Sequence, residues 1–355
     1  MNRWSDRMET RRRLAALGVT LALTAGLAAG CSDSPQPVAV PDGQTPTALA
    51  TTSLPATASP SPSPSASPSP SPSPSATSAK PTQPPAPKPP ATTSCKATGY
   101  QGPEAADPAA AVANAHAASS GASCVSRLAI AVYDRQAGTW YTAGDVDQSF
   151  ATASLVKVFI AARLLIEGKA DDQATRDLMF KMITCSDDNA ANTLYYKAGG
   201  EAQKDAQGNV IGPGLAAWTA QHYGIAVGVT PRPGWWGLTT VTARAMATFY
   251  AKAMAEPVVW DWLGGAMAST TAKACDGFNQ SFGLYSAAQD RGVKQGWMVV
   301  DGITRMHSTG FIDGRRYTVA LLMQGSSALY GAAGSTILTA VATALLPGGH
   351  LPSVL

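Results

Sequence analysis

Ser154 and Lys157 have the residue types and the spacing of a nucleophile and its base. They stand three residues apart at the start of a mostly apolar run, Leu155 to Ile166. On a helix, residues i and i+3 share one face, so this spacing places an amine beside a hydroxyl. A serine is a weak nucleophile without a base, and a lysine in an apolar site loses its proton readily. The unpaired N–H groups at a helix start would also stabilise an oxyanion. The pattern therefore indicates acyl transfer to a serine.

The same two residues also have a purely structural interpretation. Ser154 would cap a core helix, and Lys157 would lay its aliphatic stem along apolar surface. Because serine and lysine are common residues, one such spacing in a chain of 355 residues does not decide between the two interpretations.

This stretch must be positioned by the elements around it. These are strands near both ends of the C-terminal part of the chain and helices between them. Alternating and turn-bounded segments predict five strands, over residues 128–134, 139–142, 293–300, 303–312 and 317–323. Helical patterns cover residues 105–120, 154–166, 175–183, 215–223, 242–254 and 334–346. This order predicts an α/β (α+β) fold, in which an antiparallel sheet is closed by strands from both ends and a helical lobe lies beside it.

Residues 1–30 have the pattern of an export signal, and an uncleaved membrane anchor is the alternative. Five arginines precede an apolar segment that is rich in alanine and glycine and ends in Leu-Ala-Ala-Gly before Cys31. This ending resembles a bacterial lipoprotein cleavage box, and Arg11-Arg12-Arg13 resembles a twin-arginine signal. We therefore expect Cys31 to be the lipidated mature N-terminus, with the rest of the chain outside the cytoplasm and anchored to the cell membrane.

Residues 31–94 are predicted to be a disordered linker. The segment holds 18 of the chain's 26 prolines, many of them in Ser-Pro repeats, and such a composition cannot bury a core. It would hold the domain predicted for residues 95–355 away from a membrane surface.

Charge and metal-ligand patterns exclude several function classes. The formal net charge of +3 is already supplied by residues 1–30, so the remainder is neutral and gives no reason to expect nucleic-acid binding. The four histidines are scattered, and no Cys/His cluster has metal-ligand spacing, so we expect no metal and no cofactor. The oligomeric state cannot be derived from the sequence, and a monomer is our expectation.

Three short motifs follow one another in a characteristic order: Ser154-Leu155-Val156-Lys157, then Ser186-Asp187-Asp188 within the run from 182 to 192, then Lys294-Gln295-Gly296-Trp297. In this order they resemble the penicillin-recognising serine hydrolases, most of all the class A β-lactamases and their actinobacterial relatives. The resemblance extends over nearly all of residues 105–350. It implies a β-lactamase/DD-peptidase-like fold.

The resemblance also implies a role for each matching residue. Ser154 would be acylated, Lys157 would accept its proton, and Ser186 would relay a proton to the leaving nitrogen. Lys294 would supply the field that keeps Lys157 usable and attracts a substrate carboxylate. The N–H groups of Ser154 and Trp297 would form the oxyanion hole beside Gly296. Arg305 is a candidate carboxylate clamp, and a structural strand arginine is the alternative.

Three departures from the family pattern put turnover in doubt. Asp188 stands where the family has an asparagine, so it cannot donate to a substrate carbonyl and would pair with Lys157 unless Asn189 replaces it in a shifted turn. Gln295 replaces a threonine or serine; its amide can still contact a carboxylate, with a different reach. The loop over residues 227–240, which should carry a deacylating glutamate, has no acidic residue. Trp235 and Trp236 on that loop would be core or cleft wall.

The four cysteines of the domain predict two disulfides among three possible connectivities. Cys95 and Cys124 flank the first predicted helix. The family fold brings the segment that contains Cys275 close to Ser186, so Cys185 is expected to pair with Cys275.

The sequence thus predicts an exported acyl-serine hydrolase that acts on β-lactams or cell-wall peptides and deacylates slowly. Two alternatives stay open. In the first alternative, the chain is a non-catalytic β-lactam- or peptidoglycan-binding lipoprotein on a decayed hydrolase fold. In the second, it is an esterase on the same fold.

Overall fold

A computed structural model describes Cys95 and residues 100–353. The predicted signal segment, the lipidated Cys31 and nearly all of the linker lie outside the described residues. No helix in the described part has the length and apolar character needed to cross a membrane.

A five-stranded antiparallel sheet forms the centre of the domain, with the strand order β2-β1-β10-β9-β8. Its strands are β1 (Val125–Asp134), β2 (Thr139–Gly144), β8 (Arg291–Val300), β9 (Ile303–Ile312) and β10 (Tyr317–Ser326). Strand β1 pairs with β10, so the two ends of the domain meet in the sheet as predicted.

The β8–β9 hairpin has the turn that its sequence predicts. Asp301 and Gly302 both have positive φ, +53° and +72°. This geometry is typical of the tight turn that Asp-Gly favours, because its twist matches that of the flanking strands.

Small sheets accompany the main one. The strands β3 (Phe150–Ala151), β7 (Thr240–Val241) and β6 (Val227–Gly228) form one, and β4 (Gln203–Lys204) and β5 (Val210–Gly212) form the other.

The helices in the described part lie on both faces of the main sheet. They are α1 (Pro108–Ala117), α2 (Val156–Ile166), α3 (Gln173–Thr184), α4 (Asp188–Lys197), α5 (Leu215–Tyr223), α6 (Ala243–Ala253), α7 (Pro257–Ala268), α8 (Leu284–Ala287) and α9 (Ala332–Leu345). The predicted helices are all present, with ends shifted by a few residues. The sequence analysis did not predict α4, α7 and the short α8.

Two apolar clusters fill the space on either side of the sheet. One joins the sheet to the helical lobe and is centred on α2, whose residues Val156–Leu165 are all buried. The other packs α1 and α9 against the opposite face. A helix that is mostly apolar on every side belongs inside a protein, and each fully buried large apolar side chain contributes about 1.5–3 kcal/mol of transfer free energy. Helix α2 is therefore a rigid buried support for the residues at its start.

Candidate active site

Ser154 lies in a 3-10 turn, Ala153–Leu155, that leads directly into α2. Its side chain and backbone together are 6% exposed. Ala153, immediately before it, has φ +47°, a conformation that costs a non-glycine residue free energy and persists only where the surroundings impose it. Within the described part of the chain, the Ser154 hydroxyl has no hydrogen-bond partner. The turn thus holds an unengaged hydroxyl at the start of a buried helix.

Lys157 is fully buried and points to the second motif. Its Nζ donates to the Ser186 carbonyl oxygen at 2.6 Å, to Ser186 Oγ at 3.1 Å and to Asp188 Oδ1 at 2.5 Å. Burial lowers the pKa of Lys157 from its ordinary value, although the Asp188 carboxylate acts in the opposite direction. The ion pair predicted from Asp188 is present, and the net shift of the Lys157 pKa is still downward.

Ser186 connects the two lysines of the site. Lys294 Nζ donates to Ser186 Oγ at 2.9 Å and to the Gln295 carbonyl oxygen at 2.8 Å. Burial, and the nearby Lys157 charge, lower the pKa of Lys294 well below its usual range. One hydroxyl oxygen between two buried amines is suited to pass a proton, because a neutral amine can accept what a charged one donates.

The start of α4 fixes the register of the second motif. Asp187 caps the helix by accepting the Ala190 N–H at 2.8 Å, so Asp188 is the first helical residue and faces Lys157. Asn189 is exposed. The shift that would let Asn189 replace the family asparagine does not occur. Ser186 itself has φ +57°, the second non-glycine residue of the site in a left-handed conformation.

Strand β8 brings Gly296 and Trp297 against the Ser154 turn. A Cβ atom on Gly296 would lie 3.0 Å from the Thr152 carbonyl oxygen. The absence of a side chain on Gly296 therefore lets the Ser154 turn pack directly against the backbone of β8. In the main sheet β8 is an edge strand. The Gln295 carbonyl oxygen faces the site, because it accepts from Lys294 Nζ. Backbone groups two residues apart in a strand face the same side, so the Trp297 N–H faces the site as well.

Two sequence-predicted substrate contacts are engaged with the protein instead. Gln295 is buried, and its Nε2 donates to the carbonyl oxygens of Gln280 and Phe282. Arg305 donates to the Val300 and Ile303 carbonyl oxygens at 3.0 and 2.9 Å, which ties its guanidinium to the end of the β8–β9 hairpin. These contacts favour the structural interpretation of Arg305 and leave Gln295 no free donor for a carboxylate.

The loop over residues 227–240 places a tryptophan beside the catalytic lysine candidate. The Trp236 ring centroid lies 5.0 Å from Lys157 Nζ, and its indole N–H donates to Asn192 Oδ1 at 2.9 Å. Trp236 is buried, and Trp235 packs against a small cluster that includes Leu238. The expectation that these tryptophans are core or cleft wall is confirmed.

The carboxylates nearest to this loop in sequence all accept hydrogen bonds within the protein. Asp205 bonds to Asn209 within the β4–β5 hairpin. Glu256 accepts from His222 at 2.9 Å. Glu201, which the sequence reading did not consider, accepts from Tyr195 Oη and from the Gly234 N–H. Of these three carboxylates, Glu201 contacts the loop itself, through the Gly234 N–H.

Comparison with solved structures identifies the architecture. A class A β-lactamase from Bacteroides cellulosilyticus aligns over 67% of this chain and 98% of its own, with a TM-score of 0.50 and 14% identity. The TLA-3 extended-spectrum β-lactamase aligns over 66% of this chain and 96% of its own, with a TM-score of 0.50 and 12% identity. The domain has the class A β-lactamase-like fold. No protein-family model and no curated protein matches the sequence.

Both predicted disulfides of the β-lactamase-like domain are present. Cys95 pairs with Cys124, and Cys185 pairs with Cys275, with Cα atoms 5.5 and 5.0 Å apart. The second bridge ties the residue before Ser186 to a loop that precedes β8. The Cys275 N–H also donates to the Cys185 carbonyl oxygen at 2.7 Å.

This loop brings residues to the site that the sequence reading missed. Asp276 directly follows the bridge, and its charge acts on both Lys157 and Lys294. Phe278 stacks on Trp297. The available signal was their position beside Cys275, because a bridge to Cys185 brings its neighbours to Ser186.

Proposed function

We propose that this chain is an acyl-serine hydrolase that acts on β-lactams or cell-wall peptides through a Ser154 acyl-enzyme. The observation that carries the proposal is the placement of Ser186 Oγ between Lys157 Nζ and Lys294 Nζ, 3.1 and 2.9 Å away, beside the Ser154 turn. Two buried amines around one hydroxyl would be a costly way to stabilise a fold, because a buried charge must be desolvated.

The proposed acylation step uses this arrangement. Ser154 Oγ attacks the carbonyl carbon of an amide or lactam, and its proton passes to the neutral amine of Lys157. The developing oxyanion is stabilised by the N–H groups of Ser154 and Trp297. The C–N bond then breaks, and the leaving nitrogen takes a proton through Ser186, which exchanges protons with Lys157. The products of this step are the Ser154 ester and an amine, which departs when the substrate is an open-chain amide and stays attached to the acyl group when it is a lactam.

The Lys157–Asp188 ion pair supports one alternative, a non-catalytic binding protein. A protonated Lys157 would accept no proton from Ser154, and the site would then bind ligands without becoming acylated. An esterase on the same fold is the other alternative, because an ester is easier to open than an amide and needs no proton on a leaving nitrogen.

Intact-mass measurement after incubation with a β-lactam tests the proposal. We expect a mass increase equal to that of the β-lactam in the wild type and none in Ser154→Ala. Ser281→Ala, which changes a serine outside the proposed acylation machinery, is the matched control. Absence of any adduct, with a chromogenic ester hydrolysed in a Ser154-dependent manner, would favour the esterase, and absence of both reactions would favour the binding protein.

Export and anchoring belong to the same proposal. The Leu-Ala-Ala-Gly-Cys box and the proline-rich linker support a lipid-anchored domain outside the cytoplasm. N-terminal mass analysis of the mature protein is the test: a diacylglyceryl group on Cys31 is expected, and an intact residue 1–30 segment would contradict the proposal.

A further inference from the structure

Three half-buried aromatic residues lie beside the proposed oxyanion hole. Phe278 and Trp297 stack with ring centroids 4.6 Å apart and planes 9° from parallel. Tyr330 packs on Phe278 with centroids 5.6 Å apart. We call Phe278, Trp297 and Tyr330 the aromatic shelf. Its position beside the reacting carbonyl follows from Trp297, whose backbone is part of the proposed hole and whose ring lies 5.9 Å from Lys294 Nζ.

Carboxylates border the aromatic shelf. Asp276 is exposed, and its Oδ1 accepts the Phe278 N–H at 2.9 Å in a tight turn. Among the described residues, Asp276 forms no ion pair, although the exposed Lys273 lies three residues before it on the same loop. Asp188 is paired with Lys157, yet its side chain is 55% exposed. Both carboxylates act on the Tyr330 hydroxyl, whose pKa is raised by burial and by these two charges. The mouth of the site therefore combines aromatic surface with two accessible carboxylates.

The lysine and arginine side chains that would bind a substrate carboxylate are buried or bonded to the protein at the entrance of the site. Lys157 and Lys294 are fully buried and hydrogen-bonded within the site. Arg305 is tied to the end of the β8–β9 hairpin. Lys273 on the same loop is exposed, but the charged group that bonds directly to the aromatic shelf is Asp276, through the Phe278 N–H. An anionic group beside the shelf would therefore meet repulsion from Asp276, and a cation would meet attraction.

We propose that the site selects acyl donors that carry a positively charged amino group next to the scissile carbonyl. The inference rests on the proposed acyl-serine chemistry. Asp276 supplies the counter-charge, and the half-buried rings of the aromatic shelf line the approach to it, with Phe278 and Trp297 stacked on one another. An exposed carboxylate flanking aromatic rings is the combination that recognises an ammonium group. In the proposed reaction the amino group is bound as it stands and takes no part in bond making.

Three alanine p-nitroanilides with the same scissile amide and different charges test this selectivity. The free amine is cationic below its pKa, the N-acetyl form is neutral, and the N-succinyl form is anionic. Their binding to Ser154→Ala is measured by calorimetry, which requires no acylation. We expect the amine to bind about threefold to fivefold more tightly than the N-acetyl form, the range for a partly exposed ion pair. The N-succinyl form should bind most weakly.

Asp276→Asn in the Ser154→Ala background identifies the carboxylate responsible. The asparagine keeps an oxygen for the Phe278 N–H and removes the charge, so the preference for the amine should disappear. Asp205→Asn is the matched control. Asp205 lies in the β4–β5 hairpin, and its Oδ1 accepts the Gln207 N–H in the same kind of turn. The preference should persist in that variant.

The outcomes separate this inference from the proposed function. Equal binding of the three compounds, or a preference that survives Asp276→Asn, overturns the inference even when the wild type forms a Ser154 adduct. A preference for the amine that Asp276→Asn abolishes supports the inference even when no adduct forms, and in that case the hydrolase proposal fails by itself.

Discussion

Lys157 Nζ lies 2.5 Å from Asp188 Oδ1, and the lysine is fully buried while the aspartate side chain is 55% exposed. Burial of Lys157 favours its neutral amine. The Asp188 carboxylate favours the charged form of the same lysine. The pH at which acylation begins reports the balance between these two effects.

Asp188→Asn should shift the acidic limb of the acylation profile to lower pH. Burial lowers the pKa of Lys157 and the Asp188 charge raises it, so removal of that charge lowers the pKa further. The neutral amine then becomes available at a lower pH. The rate of adduct formation with a β-lactam, measured across pH by rapid quenching and mass analysis, is the readout. Asp171→Asn, at an exposed aspartate between α2 and α3, should leave the limb in place, and a shift to higher pH in Asp188→Asn would contradict the assignment.

Wild-type β-lactam acyl-enzyme should be long-lived. Hydrolysis of the Ser154 ester needs a water deprotonated by a positioned base, and such a base contributes about 10²–10⁴-fold. The loop over residues 227–240 has no carboxylate, and Asp205, Glu201 and Glu256 are engaged in other contacts. Stopped incubations followed by intact-mass analysis should therefore show the adduct persisting after free β-lactam is removed. Rapid Ser154-dependent turnover of a penicillin would disprove this prediction.

Trp236→Glu should accelerate loss of the adduct. The Trp236 ring lies 5.0 Å from Lys157 Nζ, so a glutamate there places a carboxylate close to the acyl-enzyme and leaves space for a water. We expect about a tenfold gain, well below the full contribution of an evolved base.

Trp236→Gln is the matched control for this change, because it creates the same space without a base. Deacylation rates of the two variants are compared after both have been shown to be folded by circular dichroism. Equal rates would mean that space alone, and not a base, limits hydrolysis.

The Cys185–Cys275 bridge should matter for acylation as well as for stability. Replacing both cysteines by serine should lower the free energy of unfolding by about 2–4 kcal/mol, the usual effect of losing a disulfide. It should also slow acylation, because the bridge anchors the residue next to Ser186.

The Cys95–Cys124 pair provides the comparison, since it joins the start of the domain to the segment before β1 and does not contact the site. Its double serine variant should lose stability and keep the acylation rate. Denaturant unfolding and adduct formation, measured on both variants, check the prediction. Similar acylation rates in the two variants would show that the Cys185–Cys275 bridge is only a structural link.

The sequence by itself determined the main strands and most of the helices, whereas the Cys185–Cys275 pairing was expected from the family resemblance. The β8–β9 hairpin is an example, because Asp301-Gly302 between two apolar runs specifies both a turn and its pairing through local chemistry. Helix α2 is another, because its apolar run can only be buried. The meeting of Ser154, Ser186 and Lys294 was expected from the family resemblance and not from spacing, since residues more than 100 positions apart share no local signal.

Only the tertiary structure decided which polar groups remain free. Gln295 and Arg305 have the right chemistry for a substrate carboxylate, yet Gln295 Nε2 and Arg305 Nη1 donate to backbone carbonyls of neighbouring segments. Asp276, in contrast, belongs to no motif, and only its position beside Cys275, which a disulfide joins to Cys185, points to the site. A residue type fixes what a side chain can donate or accept. Which partner it meets depends on how distant segments pack, because a buried polar group takes whatever hydrogen bond its surroundings offer.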